Sequence, residues 1–196
     1  MNEKDLNEIE QKIIDYIFGR LYNKIFPKEN KKDDKIFRNS VFLTWTEPKH
    51  FINDKINYVF DGFLPDVNIF LKKLEKNKSP RKKFIYLSKI FESISYLKEF
   101  NGGDILAGVD EQMPILNYAL IKASPSRIYS NCKFMELFIG DRKNKKEDSE
   151  LTQFLSLCDY IYNISYSNLI NVTKEEYELK CNKYSKNDNA ILLYQK

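Results

Sequence analysis

The residues able to do chemistry are few. Histidine occurs once, at His50, which removes most histidine-based catalysis and any two-histidine metal site. The three cysteines, Cys132, Cys158 and Cys181, are too far apart for a C-x-x-C zinc spacing and read as reduced, buried thiols. Gly102, Gly103 and Gly108 do not make a phosphate loop, because no Gly-Lys-Ser/Thr follows and no strand precedes them. The basic stretches 72–83 and 142–146 read as solvated surface, with contact to an anionic membrane as the minority reading. A further helix is expected to begin at Asp110. Aspartate is a favoured residue at a helix start, so spacing alone makes Asp110 a cap.

Helices must position these residues. Leu6, Ile9, Ile13, Ile17, Leu21 and Ile25 recur at spacings that line one face of a long helix over residues 3–26, which Pro27 ends. Residues 28–35 read as a polar loop before a short helix from about Asp34 to Thr44, followed by a turn at Trp45 and Pro48. Apolar residues return at helical spacing over 52–75, with a break near Gly62 to Pro65. Ser79 is set to cap, and Pro80 to open, a helix that Asn101-Gly-Gly103 stops. Further helices are expected over 110–123, 130–139 and about 149–164, with 140–148 a solvated loop. Thr173 and Glu176 form a capping-box pair for a last helix. No strand pattern rises above this background, and the chain reads as all-α.

Composition agrees. The chain has 196 residues, 42% hydrophobic and 31% charged, enough to bury a core without a metal or disulfide staple. Six Gly and six Pro are too few for a sandwich or barrel. A net charge of +4 is weak for a nucleic-acid binder. No secretory signal is visible and no apolar run reaches a membrane span, so a soluble cytoplasmic protein is expected, with the sequons at Asn163 and Asn171 chance matches.

One segment carries more than periodicity. Asp110-Glu-Gln-Met-Pro114-Ile-Leu-Asn-Tyr-Ala-Leu-Ile-Lys-Ala-Ser-Pro125-Ser-Arg-Ile-Tyr-Ser130-Asn131 resembles the signature of the VPS-nine domain family, guanine-nucleotide exchange factors for Rab-five-type endosomal GTPases. Its acidic pair, the proline four residues on, the helix ending in Lys-Ala, the proline turn and the Ser-Asn pair occur in order. Ser79-Pro-Arg-Lys-Lys-Phe84 resembles the family's Pro-Arg-Asp-Lys-Leu helix start. Arg20-Leu-Tyr-Asn-Lys-Ile-Phe-Pro27 and Leu43-Thr-Trp45-Thr-Glu-Pro48 resemble the end of its helical bundle, and Asn171 to Tyr177 the start of its closing helix. The resemblance implies a layered all-α fold, with residues 1–48 an N-terminal helical-bundle portion and 49–196 the exchange domain.

It also implies a mechanism without general base, nucleophile, cofactor or metal ligands of the protein's own. Asp110 would enter the GTPase's nucleotide site, displace magnesium and pair with the phosphate-loop lysine. Pro114 would join an apolar groove for the switch regions, while Lys122, Ser130 and Asn131 would brace helix ends and turns. Counting back from Leu157-Cys-Asp-Tyr160-Ile161 sets Thr152 on the family's functional threonine and Ser149 where the family carries a functional tyrosine. That departure leaves three readings: weaker exchange, a partner with a different switch region, or a register shifted across the 140–148 loop. The implied partner is a Rab-five-type GTPase, preferred nucleotide-free, with peripheral recruitment to endosomal membranes. The alternatives are a non-catalytic Rab-binding module and a helical adaptor taking a partner helix in the same groove.

Overall fold

The computed structural model describes residues 3–52, 63–100, 109–139 and 144–185. Among them the regular structure is helical: α1 (Glu3–Ile25), α2 (Lys31–Phe42), α3 (Phe63–Lys76), α4 (Pro80–Phe100), α5 (Val109–Ala123), α6 (Ile128–Ile139), α7 (Lys145–Asn163) and α8 (Lys174–Ser185), with 3-10 turns at Pro48–His50 and Tyr166–Asn168. The chain is all-α, as its periodicity predicts, with the layered helices that the resemblance implies. Ser79 and Pro80 open α4 as expected: the Ser79 hydroxyl accepts from the Lys82 amide at 3.4 Å, and Pro80 takes the first helical position, where an N–H has no partner to lose. Thr173 caps α8, its hydroxyl accepting from the Glu176 amide at 3.1 Å. The expected stop at Asn101-Gly-Gly103, Gly108 and residues 140–143 lie outside the described residues.

One hydrophobic cluster holds the layers. It combines Ile36 of α2 and Leu43 after it, Val67, Leu71 and Leu74 of α3, Phe84, Leu87, Ile90 and Ile94 of α4, and Ile115, Ala119 and Leu120 of α5. Ile128, Cys132 and Met135 of α6 and Leu151, Phe154, Leu157 and Ile161 of α7 also belong to it. The cluster therefore draws on residues either side of position 48. Helix α7 packs against α2, α4, α5 and α6, which explains why its buried face is almost wholly apolar. His50 is structural: it is buried, its Nδ1 accepts from the Glu47 amide at 2.9 Å, and its carbonyl accepts from the Ile170 amide at 2.8 Å. Cys132 and Cys158 are buried and Cys181 half-buried; a hydrogen bond with Cys158, then burial, push the Cys132 thiol well above its ordinary range.

Three local expectations change. Helix α2 begins at Lys31 rather than Asp34, because Asn30 is extended and its side chain accepts from the Lys32 amide, while Asp33 and Asp34 then fall in a first turn where the helix dipole favours acids. Helix α7 begins at Lys145 rather than Ser149, because Asn144 and Glu147 form a reciprocal capping box inside what composition reads as loop. Helix α1 is apolar on two faces. Phe18, Tyr22 and Phe26 pack on Phe134 of α6 with ring centroids 5.3–5.7 Å apart, whereas the periodic Leu6–Ile25 stripe is exposed.

The 72–83 stretch also departs from a purely solvated surface. Lys83 is fully buried, and its ammonium donates to the Leu74 carbonyl at 2.9 Å and to Asn131 Oδ1. The rings of Tyr22 and Phe26 lie 5.1 and 5.5 Å from it. A lysine nitrogen can be buried there because its donors find helix-end carbonyls, an amide oxygen and ring faces.

Candidate functional site

Helices α5 and α7 carry the four residues singled out above, and they pack directly against each other. In α5 the buried positions Ile115, Leu116, Ala119, Leu120 and Ile121 anchor the helix. Asp110 is its second residue; the Asp110 and Glu111 side chains lie outside the described residues. Pro114 is the sixth residue and stands inside the helix, not in its first turn. It has no N–H to donate to the carbonyl four residues back. Asp110 and Pro114 share one face by their i, i+4 spacing, and Pro114 is half-buried.

In α7 the buried side holds Glu150, Leu151, Phe154, Leu157, Cys158 and Ile161, and the opposite side presents Ser149, Thr152 and Ser156, all exposed. The Thr152 hydroxyl donates to the Asp148 carbonyl at 2.8 Å, and the Ser156 hydroxyl to the Thr152 carbonyl at 3.0 Å. Gln153 Nε2 donates to the Ser149 hydroxyl at 3.0 Å. The hydroxyls are hydrogen-bonded within their own helix, leaving a low polar surface on the exposed side of α7. Among the described residues α7 has no exposed aromatic ring.

Sequence reading missed what holds this surface still. Arg81 of α4 donates to Glu147 Oε1 at 2.6 Å, and Ser88 of α4 donates to Glu150 Oε2. Two links one turn apart thus strap the first turns of α7, those bearing Ser149 and Thr152, onto α4. Glu150 is buried where an acid alone would be costly, and a hydroxyl donor with Lys146 at 3.6 Å offsets that. The only signal in the sequence is an acid on the apolar side of a helix, which does not name its partner.

The signature residues further along brace the fold. Lys122 donates to the Thr44 carbonyl at 2.6 Å, tying the end of α5 to the turn after α2, and burial holds its pKa below the ordinary lysine value. The Ser130 amide donates to Asp33 at 3.1 Å, and Asn131 joins Lys83 to the Arg127 carbonyl, the latter at 2.7 Å. The C-terminal half of α5 borders a recess of about 450 Å³ lined by Leu64, Pro65, Asn68, Ala119, Lys122 and Ala123. Among the described residues, no group of His, Cys, Asp and Glu side chains could hold a metal ion, and no helix is long and apolar enough to cross a membrane.

Comparison with known proteins gives this arrangement its relatives. The Vacuolar sorting protein 9 (VPS9) domain matches residues 65–166, more than half of the chain and the whole stretch from Pro65 in α3 through α7. The chain is similar to Vacuolar protein sorting-associated protein 9A of Oryza sativa subsp. japonica, 24% identical over 179 residues, 86% of this chain and 36% of that protein. It is similar to the Rab5 GDP/GTP exchange factor of Homo sapiens, 27% identical over 168 residues, 80% of this chain and 32% of that protein. A shorter match joins it to Receptor-mediated endocytosis protein 6 of Caenorhabditis elegans, 33% identical over 72 residues, 36% of this chain and 7% of that protein. The chain spans about a third of the length of the first two relatives. With a domain match covering α5, α7 and every helix between them, the chain belongs to the VPS9 domain family.

Proposed function

We propose that this chain is a guanine-nucleotide exchange factor that promotes GDP release from a Rab-five-type small GTPase. The observation that carries the reading is the domain match over residues 65–166, which contains Asp110, Pro114, Ser149 and Thr152 on two helices packed side by side. Relatives named as Rab5 GDP/GTP exchange factors support the substrate class. In this proposal Asp110 is the acidic finger: its carboxylate enters the emptied nucleotide site, competes with phosphate for the phosphate-loop lysine and leaves magnesium without its ligands. Pro114 and Thr152 line the surface that receives the opened switch regions. The chain acts from the cytoplasm, associating peripherally with endosomal membranes.

Because one site cannot hold both the carboxylate and the phosphates, binding to the GTPase and binding of nucleotide oppose each other. By linkage, the nucleotide-free GTPase binds most tightly, and excess GDP or GTP dissociates the complex.

The test is release of a fluorescent GDP analogue from a panel of Rab proteins, each challenged with this chain and with Asp110→Ala and Asp110→Asn. Close charge pairs at interfaces couple by ~1.5–7 kcal/mol, and a middle value of ~3 kcal/mol gives roughly a hundredfold loss of rate. Both variants are expected to lose that much while the fold stays intact. Near-normal release with Asp110→Asn, which keeps size and capping ability but not charge, would reduce Asp110 to a helix cap. A second reading, a Rab-binding module without turnover, is favoured by one observation: the position expected to carry a tyrosine holds Ser149, exposed and hydrogen-bonded within its own helix. Binding without accelerated release across the whole panel would favour it.

A further inference from the structure

The outer side of the α3–α4 hairpin gathers positive charge. The two helices pack along each other. The Lys73 ammonium of α3 lies 5.9 Å from the centre of the Tyr86 ring of α4, and that of Lys89 in α4 lies 5.7 Å from the Phe70 ring of α3. These two crossings set the exposed rows of both helices side by side. In α3 the row is Asp66, Ile69, Lys73 and Lys76; in α4 it is Lys82, Ile85, Lys89, Glu92 and Tyr96, all exposed. Spacings of three and four hold each row to one side of its helix. Lys72 beside the α3 row and Lys78 in the connection are exposed too.

The remaining charged groups of residues 63–96 are engaged inside the fold or with other helices. Glu75 accepts from the Arg127 amide at 2.7 Å, Arg81 pairs with Glu147 at 2.6 Å, and Lys83 is buried. Asp15 of α1 reaches the edge of the face, where it pairs with Lys82 at 2.8 Å. The face itself carries six exposed lysines, Lys72, Lys73, Lys76, Lys78, Lys82 and Lys89, against two exposed acids, Asp66 and Glu92. That surplus equals the net charge of the whole chain, +4, so the rest of the chain balances. Among the lysines stand Ile69, Ile85 and Tyr96, 46%, 47% and 68% exposed.

We propose that this face lies on an anionic lipid bilayer, its lysines at the headgroups and Ile69, Ile85 and Tyr96 entering the interface between them. The hairpin is then the surface that makes the peripheral membrane association proposed above, on which this assignment rests; exchange in solution uses residues of α5 and α7. Three features select a bilayer. Clustered lysines beside apolar tips are what a negative headgroup layer attracts. Every exposed base of the face is lysine, a point charge on a flexible stem that can follow a fluid layer of headgroups. A phosphopeptide or a nucleic acid is better held by the fixed fork of arginine. The apolar tips stand singly among the lysines, so they offer no continuous patch to the apolar centre of a protein interface.

Cosedimentation of the full 196-residue chain with phosphatidylserine–phosphatidylcholine vesicles and with phosphatidylcholine vesicles tests this, beside GDP release measured without lipid. The chain is expected to bind the first kind and not the second, and to come off as salt rises. Lys73→Gln with Lys76→Gln and Lys89→Gln is expected to weaken binding roughly a hundredfold, since each lysine near an anionic surface contributes about fivefold. Ile69→Ser with Ile85→Ser is expected to weaken it roughly tenfold. All five positions are exposed, so both variants are expected to keep their helix content and their exchange in solution. No binding to the anionic vesicles overturns the proposal, as does equal binding to both kinds or binding that the three glutamines do not weaken. Loss with the lysine variant and none with the isoleucine variant overturns it too, leaving a face for an acidic protein instead. A chain that binds the anionic vesicles but releases GDP from no Rab protein fails the exchange reading and keeps this one.

Discussion

Ser149 is one hydroxyl group on an exposed helix position, and its smallness is what makes it informative. An aromatic anchor at the centre of an interface contributes ~2 kcal/mol or more, and nothing exposed on α7 among the described residues supplies that area. Ser149→Tyr is therefore expected to raise exchange activity roughly tenfold or more, read as release of fluorescent GDP at a fixed concentration of this chain. The substitution is on the surface, so folding should not change. A fall in activity with an unchanged melting temperature would mean that the partner surface is shaped around serine. The type of Asp110 and its distance from Pro114 are legible in the sequence, because an acid four residues ahead of a proline is a local pattern. The partners of Glu147 and Glu150 are not, since Arg81 and Ser88 lie 66 and 62 residues away and no local rule connects them.

Helices were legible where the sequence carries their start and their face together. Pro80 after Ser79 and the apolar rows of α4 and α5 determine those elements locally. Helix α7 is legible over its apolar half, but its first turn is written only in polar residues, Asn144-Lys-Lys-Glu147, which composition alone assigns to a loop. The structure ties that turn down through the Asn144 side chain, which accepts from the Glu147 amide at 2.9 Å, and through Glu147, which accepts from the Asn144 amide at 3.1 Å. Asn144→Ala is expected to cost about 1 kcal/mol, a fall of roughly 2–4 °C in melting temperature for a chain of this size, measurable by circular dichroism. Exchange should change less, because Leu151, Phe154 and Leu157 keep α7 docked. No change in melting temperature would mean that Arg81 and Ser88 hold the turn without the cap. Helix α1 teaches the opposite lesson: its clearest periodic row is its exposed one, while Phe18, Tyr22 and Phe26 dock it. Periodicity reports that a face is apolar, not what covers it.

At the scale of the whole molecule, four helices meet at Lys83. It belongs to α4, donates to the last carbonyls of α3 at Leu74 and Glu75, bonds Asn131 of α6, and lies under Tyr22 of α1 and Phe26 just after it. Its donors quiet helix-end carbonyls that would otherwise be buried without partners. Burial opposes the charge and lowers its pKa from 10.5 to about 7. The sign of the consequence follows. Between those two values the unfolded chain holds a proton at this lysine that the folded chain has released, so raising the pH through that window favours the fold; below about 7 both states are protonated and the dependence vanishes. Lys83→Met keeps the length and the apolar stem and removes the titration. Melting temperatures of the two proteins, compared from about pH 7 to about pH 9, should move in favour of the natural chain by several degrees as pH rises. The Cys132 thiol, whose own pKa is raised, is common to both proteins, and groups common to both cancel in the difference. Lys83→Met also strands Asn131 Oδ1 and the Leu74 carbonyl, each worth about 1–3 kcal/mol when left buried without a donor, so the variant should be the less stable protein at the alkaline end. Parallel curves would show that Lys83 stays charged throughout, held by Asn131, the two carbonyls and the aromatic rings more strongly than burial opposes it.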